Sequence, residues 1–154
     1  MVEKLNKEEE LRQWFSISTK DIDSAKCLLK NMYPSNDELI CFLCQQATEK
    51  SLKGFLCFNN IEFNRTHDLL QLLNKCVVVD SGFNDYAKHC VFLSKYAVMP
   101  RYPNDLQIND DEVKTAIRFA EKIKDFALSK IVLPPKPTQN VKPQEESKDF
   151  DIDL

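Results

Sequence analysis

The chain has 154 residues, 43% hydrophobic, with only two glycines, which suits one well-filled core, is too short for two, and lacks the turn punctuation of many short strands. Its formal net charge is −3, and from Ile131 onward three lysines face five acids, leaving 18 basic and 19 acidic residues in the body. A nearly neutral body excludes the broad electrostatic footprint of a non-specific nucleic-acid binder, although not a local patch, and no apolar run approaches the length that spans a bilayer.

A first helix is predicted from about Lys7 to Met32, because Leu11, Trp14, Phe15, Ile22, Ala25, Leu28, Leu29 and Met32 recur at the spacing of one helix face. Tyr33-Pro34-Ser35-Asn36 breaks it, and Asn36 is the expected cap of a second helix reaching about Phe58. On that helix Gln45, Gln46, Glu49, Lys50 and Lys53 fall in an arc of roughly 140° at 100° per residue. The opposite side carries Ile40, Cys44, Ala47, Ser51, Gly54 and Phe55. Its small residues let a neighbour approach closely, which places this helix at the centre of a bundle. Arg65-Thr-His-Asp then opens a third helix, with Thr66 as its cap, Asp68 as first-turn charge and Leu69, Leu70, Leu72 and Leu73 as its buried side.

The third helix is expected to end near Val77 to Val79. Asp80 to Asn84 reads as a turn, and a fourth helix follows to about Val98 on Phe83, Tyr86, Ala87, Cys90, Leu93 and Tyr96 or Ala97. Pro100 and Pro103 bracket Arg101-Tyr102 as a rigid connection before a last helix, from about Asp110 to Lys130, on Val113, Ala116, Ile117, Ala120, Ile123 and Ala127. The expected fold class is therefore all-α, an up-and-down bundle of four to five helices over residues 1–130. Residues 131–154 form a proline-rich, then acidic tail ending DFDIDL. That composition cannot fold alone, so the tail is read as flexible or as docking on a partner, with Phe150, Ile152 and Leu154 alternating with acids.

Six cysteines follow an N-terminus, MVEKLNKEEE, without signal-peptide character, so reduced thiols in a cytoplasmic protein are expected. Cys41-Phe-Leu-Cys44 has no second pair at ligand spacing and reads as small buried side chains; no metal and no cofactor are expected. Glu49 and Lys53 have a bland reading as an exposed pair four residues apart, worth a few tenths of a kcal/mol. Their alternative is a cleft or dimer seam, where Lys50, Lys53 and two adjacent glutamines suit a phosphate or nucleobase. His67 and Asp68 belong to a helix start first and to a ligand second. Arg101, held between prolines, is preorganised to grip a phosphate or carboxylate, and Tyr102 to stack on a base; the bland reading ties Arg101 to Glu49. Glu49, Lys50, Lys53, His67, Asp68, Arg101 and Tyr102 are thus the candidate ligand-binding residues, and none is assigned a catalytic role.

Three stretches in order carry a resemblance: CFLCQQATEKSLKGFL from Cys41, RTHDLLQLL from Arg65 and LSKYAVMPRYPND from Leu93. Together they resemble the HEPN family, the higher eukaryotes and prokaryotes nucleotide-binding domain, with its QxAxEKxLK-like central helix, THDL helix start and RYP connection. The likeness covers roughly Leu11 to Ala127. It implies a helical bundle, a homodimer and pairing with a minimal nucleotidyltransferase in toxin–antitoxin-like systems. Many members of that family are metal-independent endoribonucleases with an arginine followed about four to six residues later by a histidine. Among Arg12, Arg65, Arg101, Arg118, His67 and His89 no pair has that spacing. The resemblance then implies a non-catalytic subunit binding a nucleotide or a nucleotidyltransferase. The alternatives are an RNA-cleaving toxin using His67, Arg101 and Tyr102, and an adaptor acting through the tail.

Overall fold

Asn6 starts the first helix by a reciprocal cap: its side chain accepts the Glu9 amide hydrogen at 2.9 Å, and the Glu9 carboxylate accepts the Asn6 amide at 3.1 Å. From there the computed structural model describes residues 6–98, 107–132 and 135. Among the described residues there are five α-helices and no strand: α1 (Lys7–Met32), α2 (Asp37–Phe58), α3 (Leu69–Val79), α4 (Ala87–Ser94) and α5 (Asp110–Ser129), with a 3-10 turn at Ser81–Tyr86. The architecture is an all-α bundle, and among the described residues no helix is long and apolar enough to cross a membrane. Pro100, Arg101, Tyr102 and Pro103 lie outside the described residues, as does the tail but for residues 131, 132 and 135.

α2 is the central element and packs on each of the other four α-helices. Its small face lets α1 come close. The Ser18 and Ser51 hydroxyls lie 2.8 Å apart and both reach the Ala47 carbonyl, at 2.9 and 3.0 Å. One turn on, Gly54 leaves room for the Phe15 ring; a Cβ there would stand 2.6 Å from Phe15 Cε2. α5 buries the whole predicted face, Val113 to Ala127, and rings interlock beside it: Phe83 meets Phe55 at a tilt and Phe126 edge-on, with centroids 4.4 and 4.8 Å apart. Much of the aromatic content is therefore spent inside the protomer.

Asn36 is the N-cap residue of α2, as predicted, but makes no side-chain cap bond; the Asp37 carboxylate accepts the Glu38 amide at 3.0 Å. Three predicted boundaries are corrected. The cap of α3 is Asp68, whose Oδ1 accepts the Leu70 and Gln71 amides at 3.0 and 3.2 Å, while Thr66 Oγ1 accepts from the Asp68 amide at 3.1 Å. A carboxylate outcompetes the hydroxyl because it binds two amides at a positive helix end. The expected turn at Asp80 to Asn84 extends into the 3-10 segment, and α4 stops at Ser94, not near Val98. Its end tightens into i−3 bonds from Tyr96 to Leu93 and from Ala97 to Ser94, at 3.1 and 3.3 Å. That turn carries Tyr96 into the core, 1% exposed, where its hydroxyl donates to Glu112 Oε2 at 2.6 Å and ties α4 to the start of α5.

Candidate functional site

The polar arc of α2 does not face open water. Gln45 and Glu49 are fully buried and Lys53 is 6% exposed; Trp14 of α1 and Phe63 of the connector between α2 and α3 lie against Lys53, and His67 of the same connector meets Gln45 and Glu49. This overturns the exposed-pair reading of Glu49 and Lys53. A carboxylate this deep must be paired, and among the described residues Glu49 has three partners. Its Oε1 accepts from Lys53 Nζ at 2.7 Å and from Lys50 Nζ at 3.2 Å, and its Oε2 meets His67 Nδ1 at 2.9 Å. Burial pushes the Glu49 carboxyl up, but the Lys53 and His67 hydrogen bonds and the Lys50 charge outweigh it and hold the group below the ordinary carboxylate range. Asp21, on α1, moves the other way: burial raises it, Lys50 opposes this and Glu49 adds to it.

Two glutamines extend the network. Gln45 Nε2 donates to the His67 carbonyl at 3.1 Å, Gln46 Nε2 donates to Gln45 Oε1 at 2.7 Å, and Lys50 Nζ donates to Gln46 Oε1 at 3.4 Å. The α2 arc thereby fixes the loop that enters α3. The His67 side chain itself is 72% exposed, so one edge of the cluster reaches the surface.

Lys53 links the cluster to a cleft. Its ammonium lies 5.8 Å from the Trp14 ring centre and 5.7 Å from that of Phe63, and the two rings meet edge-on at 6.1 Å. Both rings and Lys53 line a cleft of about 1100 Å³, together with Lys7, Arg65 and Lys75 and the carboxylates of Glu10 and Glu62. Lys7 Nζ donates to the Phe58 carbonyl at 3.1 Å and to Asn60 Oδ1 at 2.6 Å; Lys75 Nζ donates to the Glu62 carbonyl at 2.9 Å. Asn60 presents that oxygen from a left-handed backbone, φ 57°, a conformation asparagine tolerates better than most residues. These acceptors are neutral, so the bonds hold the ammonium groups in place without cancelling their charge. Arg65 is exposed on the same wall. Aromatic faces beside uncancelled cations suit a ligand that is both flat and anionic.

Of the residues predicted from sequence, Glu49, Lys50, Lys53 and His67 come together. Asp68 is beside them in the chain, but its carboxylate is committed to capping α3. Arg101 and Tyr102, and with them the expected tie from Arg101 to Glu49, lie outside the described residues. Sequence reading missed Trp14, Phe63, Arg65 and Asp21. The signal was slight: Trp14 fits the apolar stripe of α1 as well as any core residue, and only its being the sole tryptophan set it apart. Cys41 and Cys44 are fully buried small side chains of α2, as read, and burial pushes the Cys41 thiol up to about 12 and that of Cys44 further.

A family model described as HEPN domain matches residues 11–131. Among solved structures, the chain is similar to ST0689, an archaeal HEPN homologue, at 26% identity and a TM-score of 0.60, over 77% of this chain and 95% of that one. It is also similar to TT1696 from Thermus thermophilus, at 25% identity and a TM-score of 0.64, over 79% of this chain and 98% of that one. No curated protein matches the chain.

Proposed function

Because the chain belongs to the HEPN domain family, we propose that it is a non-catalytic, cytoplasmic binding subunit: a homodimer that holds a nucleotide and pairs with a minimal nucleotidyltransferase in a toxin–antitoxin-like system. The single observation that carries the ligand half of this reading is the cleft wall, where Trp14 and Phe63 flank Lys53 while Lys7, Arg65 and Lys75 bring charge that forms no ion pair among the described residues. A nucleotide satisfies both features, its base stacking on a ring and its phosphates meeting the cations. The Glu49 cluster acts from behind, fixing Lys53 and the connector so that little order must be gained on binding.

Titration of the protein with ATP, followed by Trp14 fluorescence, tests this. Saturable binding is expected, weakened about tenfold or more in Arg65→Ala, since a charge-assisted hydrogen bond is worth about 1.5–3 kcal/mol. Arg101→Ala is proposed to weaken binding similarly with an unchanged melting temperature; a lower melting temperature with unchanged affinity per folded molecule would make Arg101 structural. Absence of ATP binding by the wild type removes the nucleotide reading. In the same preparation RNA should stay intact.

One contact favours a second reading. Glu49 Oε2 sits 2.9 Å from Nδ1 of His67, a side chain 72% exposed, which is how a carboxylate orients an imidazole so that its other nitrogen moves a proton. RNA cleavage by wild type that disappears in His67→Ala would promote that reading over the non-catalytic one.

The homodimer has its own measurement. Light scattering at micromolar concentration should give twice the chain mass of 17.9 kDa. A monomer at all salt concentrations would remove the dimer from the proposal.

A further inference from the structure

We propose that the acidic segment 145–154 of the chain docks into the Trp14–Phe63 cleft of its own protomer and competes there with anionic ligands. The segment reads EESKDFDIDL, five carboxylates and one ammonium, with Phe150, Ile152 and Leu154 on alternate positions. Docked as an extended strand, the segment would put its apolar residues on one side and Asp149, Asp151 and Asp153 on the other, since alternate side chains of a strand share one side. The cleft offers the complement: two aromatic side chains, Trp14 and Phe63, and the four cations Lys7, Lys53, Arg65 and Lys75 against the two carboxylates Glu10 and Glu62. Lys53 is matched by Glu49. Lys7 and Lys75 are held by neutral oxygens, and Arg65 makes no hydrogen bond or ion pair among the described residues. With Lys53 matched, the three cations left at this wall exceed its two lining carboxylates by one, and the segment supplies carboxylates to them together with apolar side chains for the rings.

The geometry of the chain permits the docking in cis. Lys130, just past the end of α5, forms an ion pair with Asp80 at 3.0 Å. Asp80 caps the C-terminal end of α3, an axial rise of about 7.5 Å beyond Lys75 of the cleft wall. α5 thus ends beside the end of the helix that carries Lys75. From residue 135, the ten residues to Glu145 reach about 33 Å when extended, more than that separation requires. The large volume of about 1100 Å³ accommodates several side chains. This inference rests on the reading of the cleft as a receiver of anions, and it adds a regulator: a ligand must displace the segment before it binds.

Trp14, the sole tryptophan, reports directly. In the full chain, Phe150→Ser, Ile152→Ser and Leu154→Ser are introduced together, and acrylamide quenching of Trp14 is compared with the wild type, with circular dichroism confirming unchanged helix content. A tethered segment is present at about millimolar effective concentration and keeps the cleft mostly filled, so its release should raise the quenching constant about twofold. A synthetic peptide of residues 145–154, added to the triple variant, should restore protection. Arg65→Glu with Lys75→Glu in the otherwise wild-type chain should give the same exposure, and the peptide should not reverse it. Equal quenching of wild type and triple variant would overturn the inference. Protection that grows with protein concentration would place the segment on a neighbouring copy and overturn the intramolecular form. The comparison uses no nucleotide, so its outcome stands apart from whether ATP binds.

Discussion

Glu49→Ala is expected to lower the stability of the fold by about 3 kcal/mol, the lower end of the cost of breaking a buried ion pair. The reason is what it leaves behind. Lys53, 8% exposed along its side chain, loses the carboxylate 2.7 Å away and, among the described residues, keeps the Trp14 and Phe63 rings that it lies over. Lys50 and His67 reach water more readily, at 18% and 72% exposed, which relieves part of the loss. For a chain of this size about 2–4 °C is lost per kcal/mol, so the melting temperature should fall by about 6–12 °C. Glu49→Gln keeps an acceptor for Lys53 and should cost about half as much.

The same residue gives a pH signature. Its folded-state carboxyl lies below the ordinary value of 4.5, so the folded protein holds that proton less tightly than the unfolded chain does. The Glu49 contribution is therefore complete above pH 4.5 and fades as pH falls through the lower folded value. Urea midpoints measured from pH 7 downward should show the gap between wild type and Glu49→Gln holding steady and then narrowing in that acid range. A gap that widens there would contradict the pairing.

Gly54→Leu should destabilise by about 2–3 kcal/mol net, because overpacking against a neighbour exceeds the helix propensity of about 1 kcal/mol gained on leaving glycine. Its Cβ alone would stand 2.6 Å from Phe15 Cε2 and 3.0 Å from Cζ, and Phe15 is itself 6% exposed with little room to retreat. Phe15→Ala costs stability by opening a cavity. Combined with Gly54→Leu it should cost at least about 1 kcal/mol less than the sum of the two changes, since the new side chain fills the space. Strict additivity would show that α1 and α2 do not meet there as closely as the structure describes.

Which parts of this molecule could be read from sequence follows from the range of the forces involved. The extents of α1 and α5, the buried face of α5 and the first part of that of α1 are local properties, set by apolar residues at three-and-four spacing and by acids at helix starts; Met32, which continues the α1 pattern, is 51% exposed. The small face of α2 announced a close neighbour, and Ser18, Ser51 and Gly54 supply it. Cap choice was harder, because Thr66 and Asp68 both suit a helix start, and which one meets the free amides depends on the path of the loop arriving from Phe63. The early end of α4 was hidden for a related reason: Tyr96 continues the apolar stripe, and nothing nearby in the chain shows that its hydroxyl is drawn to Glu112, sixteen residues on.

The sequence by itself determined an all-α chain, its helix extents to within a few residues at most ends, its HEPN resemblance, and the polar arc of α2 as a place of interest. Only the tertiary structure decided that this arc is buried, and so that Glu49 is a paired interior carboxylate and not half of a surface pair. The physical reason is burial. Spacing places Glu49 and Lys53 side by side on any helix, where in water they contribute a few tenths of a kcal/mol. Covering them with Trp14, Phe63 and His67, from 35 positions before to 18 positions after Glu49 in the chain, removes the water and makes the same pair indispensable. The cleft has the same origin, since Lys7, Arg65 and Lys75 share a wall only once α1 has packed on α2 and the connector has been fixed by Gln45 and Glu49.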